Sequence, residues 1–253
     1  MTSSAVLTIA HRGASAYSPE NTLTAIRQAV ELGADLVEVD VQRTRDGALV
    51  LAHDPELGRT TDAARVLPRR APWRVADLTL DEVRRLDAGA WFSPAYAGTR
   101  IATLEQALDL LAGTGTGLLL EVKRPALHPG IAADVAATLR SRPLRRVVVQ
   151  SFDHEVVRDA ARRTPGVPVG LLGHPPVRRL PALAEWASQV NPRHRRASRA
   201  YVDAVHAAGL DCLVWTVDQQ ADIRRVLDLG VDGVISNRPD VVRRALADQL
   251  VPV

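Results

Sequence analysis

Leu36-Val-Glu-Val-Asp-Val41 is an apolar, β-branched run broken at every second residue by a carboxylate. Read as a strand, its two-residue period places Glu38 and Asp40 on one face. Leu118-Leu-Leu-Glu-Val-Lys123 repeats the pattern with Glu121 and Lys123. An unpaired charge on a buried strand face is strongly unfavourable. Two carboxylates side by side, with no basic residue in their own run, therefore need something positive between them. A bound cation is the simplest answer, and all-oxygen ligands point to Mg²⁺ or Ca²⁺ rather than zinc. Pairing of each carboxylate with one of the many arginines is the alternative.

The pattern spreads outward from these two strands. Val6 to Ala10 is a short apolar strand ending on His11-Arg-Gly13, and Glu20 to Leu32 carries Leu23, Ile26, Ala29 and Val30 at helical spacing with Gly33 as a stop. With Leu36 to Val41 directly after, this reads as a βαβ unit. Arg45-Asp-Gly47 is a hairpin turn returning through Ala48 to Ala52, ending on His53-Asp54. From Pro55 to about Gly98 the periodicity fails, with Pro68, Pro72 and Pro94, two tryptophans and one short helix near Leu78 to Leu86. Such a stretch is too long for an ordinary βα loop and reads as an insertion after the second strand, packed over one end of the fold.

Helix and strand then alternate to the end of the chain. The expected strands lie at Glu121, Arg146 to Gln150, Val167 to Leu172, Gln189 to Asn191, Cys212 to Val217 and Gly233 to Ser236, the one at 189–191 being weakest. Setting the hairpin strand aside, eight βα units remain in 253 residues, the pattern of a single-domain TIM (β/α)₈ barrel. A doubly wound sheet fits less well, because no glycine-rich phosphate fingerprint follows the first strand.

Composition narrows the function classes. Net charge is only +3 with no long basic block, so nucleic acid is not an indicated partner. Arg193-His-Arg-Arg196, the densest basic cluster, reads as a solvated loop face or an anion-attracting rim. No apolar run approaches the length of a membrane span, and the N-terminus lacks the pattern of a secretory signal, so the expectation is a cytoplasmic protein with no stable membrane anchor. Cys212 is the only cysteine and lies in an apolar run, as a small core residue would. Lys123 is the only lysine among 32 basic residues. A compact ammonium beside Glu121 suits a phosphate oxygen or a shared proton better than a broad guanidinium does.

In a barrel of this kind function sits at the C-terminal ends of the strands. Those ends collect His11 and Arg12, Glu38 and Asp40, Glu121 and Lys123, and Trp215, with His53 added if the hairpin folds over the mouth. This is a poor stabilising set and a good one for phosphoryl transfer. Charge neutralisation on a phosphodiester would come from a cation with Arg12 and Lys123, and a pair of histidines would divide the base and acid roles. His128, His154, His174, His194 and His206 have no charged strand partner and read as surface or core residues.

His11-Arg-Gly13, Pro19-Glu-Asn-Thr22, Glu38-Val-Asp40, His53-Asp54 with Arg59-Thr-Thr61, Glu121-Val-Lys123, Gln150-Ser-Phe152 and Trp215-Thr-Val217 occur in this order along nearly the whole chain. Together they resemble the glycerophosphodiester phosphodiesterase family. The resemblance implies a TIM barrel with an insertion after the second strand and an Mg²⁺- or Ca²⁺-dependent hydrolase. Its substrates would be small glycerophosphodiesters such as glycerophosphocholine or glycerophosphoethanolamine, and its products an alcohol and sn-glycerol 3-phosphate. By matching position, Glu38, Asp40 and Glu121 would bind the metal, and His11 and His53 would be the acid/base pair. Arg12 and Lys123 would hold the phosphate, and Trp215 would wall the substrate pocket or pack in the core. Glu20 and Asn21 would orient the His11 loop or start the following helix. One departure stands out: the family often has Asn after Trp-Thr-Val, where this chain has Asp218. That charge would disfavour anionic head groups at the mouth or cap the helix ahead of Ile223. Two other readings compete: a related barrel phosphodiesterase of the lysophospholipase D type, and a non-catalytic phosphodiester-binding barrel. The insertion argues against the first, and the completeness of the site argues against the second.

Overall fold

Two-residue periodicity on the strands divides the interior into two cores. The computed structural model describes residues 6–249. In chain order the strands are β1 (Leu7–Ala10), β2 (Leu36–Arg43), β3 (Leu49–Leu51), β4 (Gly117–Val122), β5 (Val147–Ser151), β6 (Val169–Leu172), β7 (Gln189–Asn191), β8 (Asp211–Val214) and β9 (Gly233–Ser236). All except β3 pair in parallel, each with the next, and β1 pairs with both β9 and β2, so the sheet closes into an eight-stranded barrel. β3 returns antiparallel to β2, with Val41 opposite Leu51, as the Asp-Gly turn requires.

The helices are α1 (Leu23–Glu31), α2 (Ala63–Val66), α3 (Leu80–Arg84), α4 (Leu104–Leu111), α5 (Ile131–Ser141), α6 (His154–Arg163), α7 (Leu180–Ala184), α8 (Arg199–Ala207), α9 (Gln220–Asp228) and α10 (Pro239–Gln249). Among the described residues no helix is long and apolar enough to cross a membrane. Outward-facing Val37, Val39, Val41, Leu118, Leu120 and Val149 pack against the helices in the main core. Inward-facing Ile9, Leu36, Leu119, Val148, Leu213 and Ile235 form a separate apolar plug inside the barrel. Burying a side chain of this size stabilises by roughly 1.5–3 kcal/mol.

The plug sets the level of the site. Two residues beyond each plug residue, on the same face, lie His11, Glu38, Glu121, Gln150, Trp215 and Asn237. The strands are thus apolar at the closed end and polar at the open one. Residues 52–102 carry α2 and α3 and gather a small core of their own, including Leu57, Ala63, Val75, Leu78, Val83, Leu86 and Ile101. Thr79 and Glu82 form a reciprocal capping box at the start of α3.

Helix boundaries shift modestly from the sequence expectation. α1 begins at Leu23 rather than Glu20, because Thr22 is its N-cap and accepts from Ala25 N at 3.2 Å. Glu20 and Asn21 are thereby left outside the helix, where their side chains serve the site. The weak strand at 189–191 is present as β7. Cys212 is buried in the main core, as expected.

Candidate active site

Register brings together carboxylates that are far apart in the chain. β2 and β4 pair with Asp40 opposite Glu121, and β4 and β5 with Glu121 opposite Gln150. One oxygen from each of Glu38, Asp40 and Glu121 lies within 4.8 Å of the other two. All three side chains are buried.

The His11-Arg-Gly13 turn clamps the end of β2. Arg12 and Gly13 both have left-handed backbone, φ 55° and 81°. This points Arg12 N at Glu38 Oε2, 2.8 Å away, and Gly13 N at the Glu38 carbonyl, 3.3 Å away. A Cβ on residue 13 would lie 2.6 Å from the backbone of Ala25, so only glycine fits this turn. Asn21, also left-handed at φ 58°, grips Asp40 from both sides. Its Nδ2 donates to Asp40 Oδ2 at 2.8 Å, and its Oδ1 accepts from Asp40 N at 3.0 Å.

Two cations press on the trio. Arg12 Nε lies 3.3 Å from Asp40 Oδ2, while Arg12 Nη1 donates to Glu20. Lys123 Nζ lies 2.7 Å from Glu121 Oε1 and 3.2 Å from Asp40 Oδ1. Arginine pairing, weighed from the sequence as an alternative to a cation, therefore holds for Asp40. It does not suffice for the trio. Burial would raise the Asp40 pKa, but Lys123 and Arg12, helped by His53 and Asn21, hold it at about 2. Burial together with Asp40 and Glu121 pushes Glu38 well above the usual carboxylate range. Burial and Asp40 push Glu121 up to about 7 in spite of Lys123. Among the described residues, Glu38 Oε1 is buried without a hydrogen-bond partner, and Asp40 Oδ1 has none beyond its ion pair with Lys123. Under-satisfied carboxyl oxygens in a hard-oxygen donor set, two of them on acids that resist ionising without added positive charge, fit one divalent cation of the Mg²⁺ or Ca²⁺ kind.

Both histidines line the same cavity of about 330 Å³ as Arg12, Glu38, Glu121 and Lys123. His11 is anchored through Nδ1 to Asn237 Oδ1 at 2.7 Å, and burial and Arg12 lower its pKa to about 4. His53 is anchored through Nδ1 to Asp54 Oδ1 at 2.7 Å. Burial lowers its pKa, with Lys123 and Arg12 adding to the effect against Asp40 and Asp54. Arg59 ties the two loops together, giving Nε to Asp54 Oδ2 at 2.5 Å and Nη2 to Glu20 Oε1 at 2.7 Å. A continuous charged chain thus runs His53–Asp54–Arg59–Glu20–Arg12–Asp40. It joins the Pro-Glu-Asn-Thr and Arg-Thr-Thr segments through Glu20 and Arg59.

The profile of the glycerophosphoryl diester phosphodiesterase family matches residues 11–241. The chain belongs to that family. It is 35% identical over 241 residues to a glycerophosphodiester phosphodiesterase of Caldanaerobacter subterraneus subsp. tengcongensis, covering 93% of this chain and 96% of that one. It is 34% identical over 260 residues to a glycerophosphodiester phosphodiesterase of Bacillus subtilis, covering 94% and 86%. Among solved structures it superposes with a TM-score of 0.87 on an Oleispira antarctica phosphodiesterase in complex with the product sn-glycerol-3-phosphate. That pair is 27% identical, with 94% of this chain and 96% of the other covered.

In this family member the remaining sequence expectations resolve individually. Trp215 lines the cavity, half-buried, with Nε1 donating to the Asn191 carbonyl at 2.7 Å and Phe152 edge-on at 5.5 Å. Arg193, from the basic cluster, lies over the Trp215 ring at 5.0 Å and lines the same cavity. His128 is buried against Gln42, as a core residue. Asp218 does not cap the helix ahead of Ile223: the cap position of α9 is Gln219, and the Asp218 carboxylate turns back to accept from Ser236 and Asn237. Sequence reasoning assigned no role to Asn237, because its distance from His11 along the chain hides the contact. Asp54 was legible only as the neighbour of a candidate histidine.

Proposed function

We propose that this chain hydrolyses glycerophosphodiesters, such as glycerophosphocholine or glycerophosphoethanolamine, to an alcohol and sn-glycerol 3-phosphate, with Mg²⁺ or Ca²⁺ bound. The observation that carries the reading is one cavity lined by Glu38 and Glu121, members of a buried carboxylate trio with Asp40, and by two histidines each anchored through Nδ1. The family of the chain supports it, as does the product sn-glycerol-3-phosphate in the Oleispira antarctica structure.

Glu38, Asp40 and Glu121 would hold the cation, which when bound supplies positive charge against the phosphate. Arg12 and Lys123, already held at the trio, bind the phosphate oxygens from two sides. His11, kept neutral by burial and Arg12, takes at Nε2 a proton of the water whose oxygen bonds to phosphorus as the bond to the alcohol oxygen breaks. His53 gives a proton to the oxygen of the leaving alcohol. Burial lowers its pKa, and the Asp54 carboxylate on its Nδ1 together with the charge of a bound phosphate would favour the imidazolium against that. Trp215 and Phe152, packed edge to face, line the same cavity as an apolar wall for the substrate. The same reading takes the chain as one barrel domain whose insertion, about residues 55–98, flanks the mouth and contributes Arg59 to the loop that carries His53.

The test is release of glycerol 3-phosphate from glycerophosphocholine, first with EDTA and then with Mg²⁺ or Ca²⁺ restored. Activity that vanishes and returns is expected. A folded protein inactive with every cation on every glycerophosphodiester overturns the reading. Turnover of lysophospholipids instead would move the chain to the lysophospholipase D type.

A further inference from the structure

His11 is backed by an uncharged carboxamide, whereas His53 is backed by a carboxylate. An imidazole nitrogen meeting a carboxamide finds either a C=O, which accepts, or an NH₂, which donates. The two faces of the amide demand opposite tautomers of the ring. Whatever fixes the Asn237 amide therefore fixes the proton on His11.

Asp218 fixes it. Asn237 Nδ2 donates to Asp218 Oδ2 at 2.6 Å, and Asn237 N and Ser236 Oγ both donate to Asp218 Oδ1, at 2.8 and 3.0 Å. A carboxylate only accepts, so the amide must present its NH₂ to Asp218 and its oxygen to His11. The flipped amide would set a carbonyl oxygen against a carboxylate at the same distance. Ser15 Oγ lies 2.7 Å from both Asn237 Oδ1 and the His11 carbonyl, its single proton serving either, so the choice rests on Asp218. The backbone of residue 237 is held as well, its carbonyl accepting from Ala16 N at 3.1 Å and its predecessor's from His11 N at 2.8 Å. The relay His11–Asn237–Asp218 thus spans the ends of β1 and β9 and the loop after β8.

We propose that Asn237 and Asp218 are positioning residues that hold His11 with its proton on Nδ1 and its lone pair on Nε2, turned to the cavity. This rests on the reading of His11 as the base, but the tautomer is measurable without substrate. The charge at 218 also has a purpose that neither a mouth residue nor a helix cap would give it. An amide there is free to face its own NH₂ toward residue 237, turning the relay round and handing His11 the opposite tautomer.

The test is long-range ¹H–¹⁵N correlation of the histidine rings in ¹⁵N-labelled protein near neutral pH, with the His11 signals assigned by their loss in H11Q. The expected wild-type spectrum is that of the Nδ1–H form. D218N is expected to move His11 toward the Nε2–H form and to lower kcat by about 10²–10⁴-fold, the usual contribution of a positioned base, with a smaller change in KM. N237D alone sets two carboxylates against each other and is expected to lose activity. D218N/N237D restores one carboxylate and one amide in exchanged places, and is expected to recover the Nδ1–H form and most of kcat. His11 protonated on Nε2 in the wild type overturns the proposal, even if D218N fails to fold. So does a D218N protein that keeps the Nδ1–H form, or a double variant no better than the single ones. A chain with the expected tautomers but no phosphodiesterase activity would instead refute the functional reading alone.

Discussion

Glu121→Gln separates the two demands that meet at the carboxylate trio. In the metal-free protein, burial and Asp40 raise Glu121 from 4.5 to about 7 although Lys123 donates to it at 2.7 Å. An acid whose folded-state pKa is raised binds its proton more tightly in the folded chain than in the unfolded one. Its ionisation therefore destabilises the fold, and stability falls as pH rises from the unfolded value through about 7. The full effect is about 3 kcal/mol, reached above that range. The amide has the same shape and no charge, and Lys123 keeps Asp40 as a partner at 3.2 Å. The metal-free variant is therefore expected to melt roughly 6–12 °C above wild type at about pH 8 and close to wild type at about pH 4.5. Excess Mg²⁺ or Ca²⁺ reverses the order at high pH, because the wild type gains the binding energy and the variant largely does not. Scanning calorimetry in EDTA and then in cation measures both arms. A variant no more stable than wild type at pH 8 in EDTA, or one with an equal gain from cation, refutes the reasoning.

Two further outcomes follow from the same geometry. His11→Ala and His53→Ala are each expected to lower kcat by about 10²–10⁴-fold while circular dichroism and the unfolding midpoint stay close to wild type; wild-type turnover in either removes that ring from the reaction. Asn21→Gly keeps the left-handed backbone accessible but removes both bonds to Asp40, so cation affinity is expected to drop about 10–100-fold. An unchanged binding isotherm by titration calorimetry would show that Asn21 does not support the trio.

Much of the fold was legible because period 2 and period 3.6 are local signals. The βαβ start, the Asp-Gly hairpin and the alternation that follows were each read from one window of chain. So were the carboxylates of Leu36 to Val41, since no apolar strand carries two of them without a reason. The helix start was misread at Glu20, because an acidic residue suits a first turn, while the cap at Thr22 is revealed only by its bond to Ala25 N. The role of Asp218 was hidden for a different reason: its partners lie on β9 and just beyond it, and no window around Trp215-Thr-Val217 contains them.

By itself the sequence determined which faces are apolar, where the strand ends fall and which residue types gather there. Those follow from hydrophobic spacing and from the cost of burying charge. Only the tertiary structure decided which of those residues meet. Closure of β1 onto β9 puts Asn237 behind His11, and the pairing of β2 with β4 sets Asp40 opposite Glu121. Left-handed turns at Arg12 and Asn21 aim their donors at Glu38 and Asp40. Register and loop closure are properties of the whole sheet, and hydrogen-bond direction and pKa depend on distances of a few ångströms that no stretch of chain encodes alone.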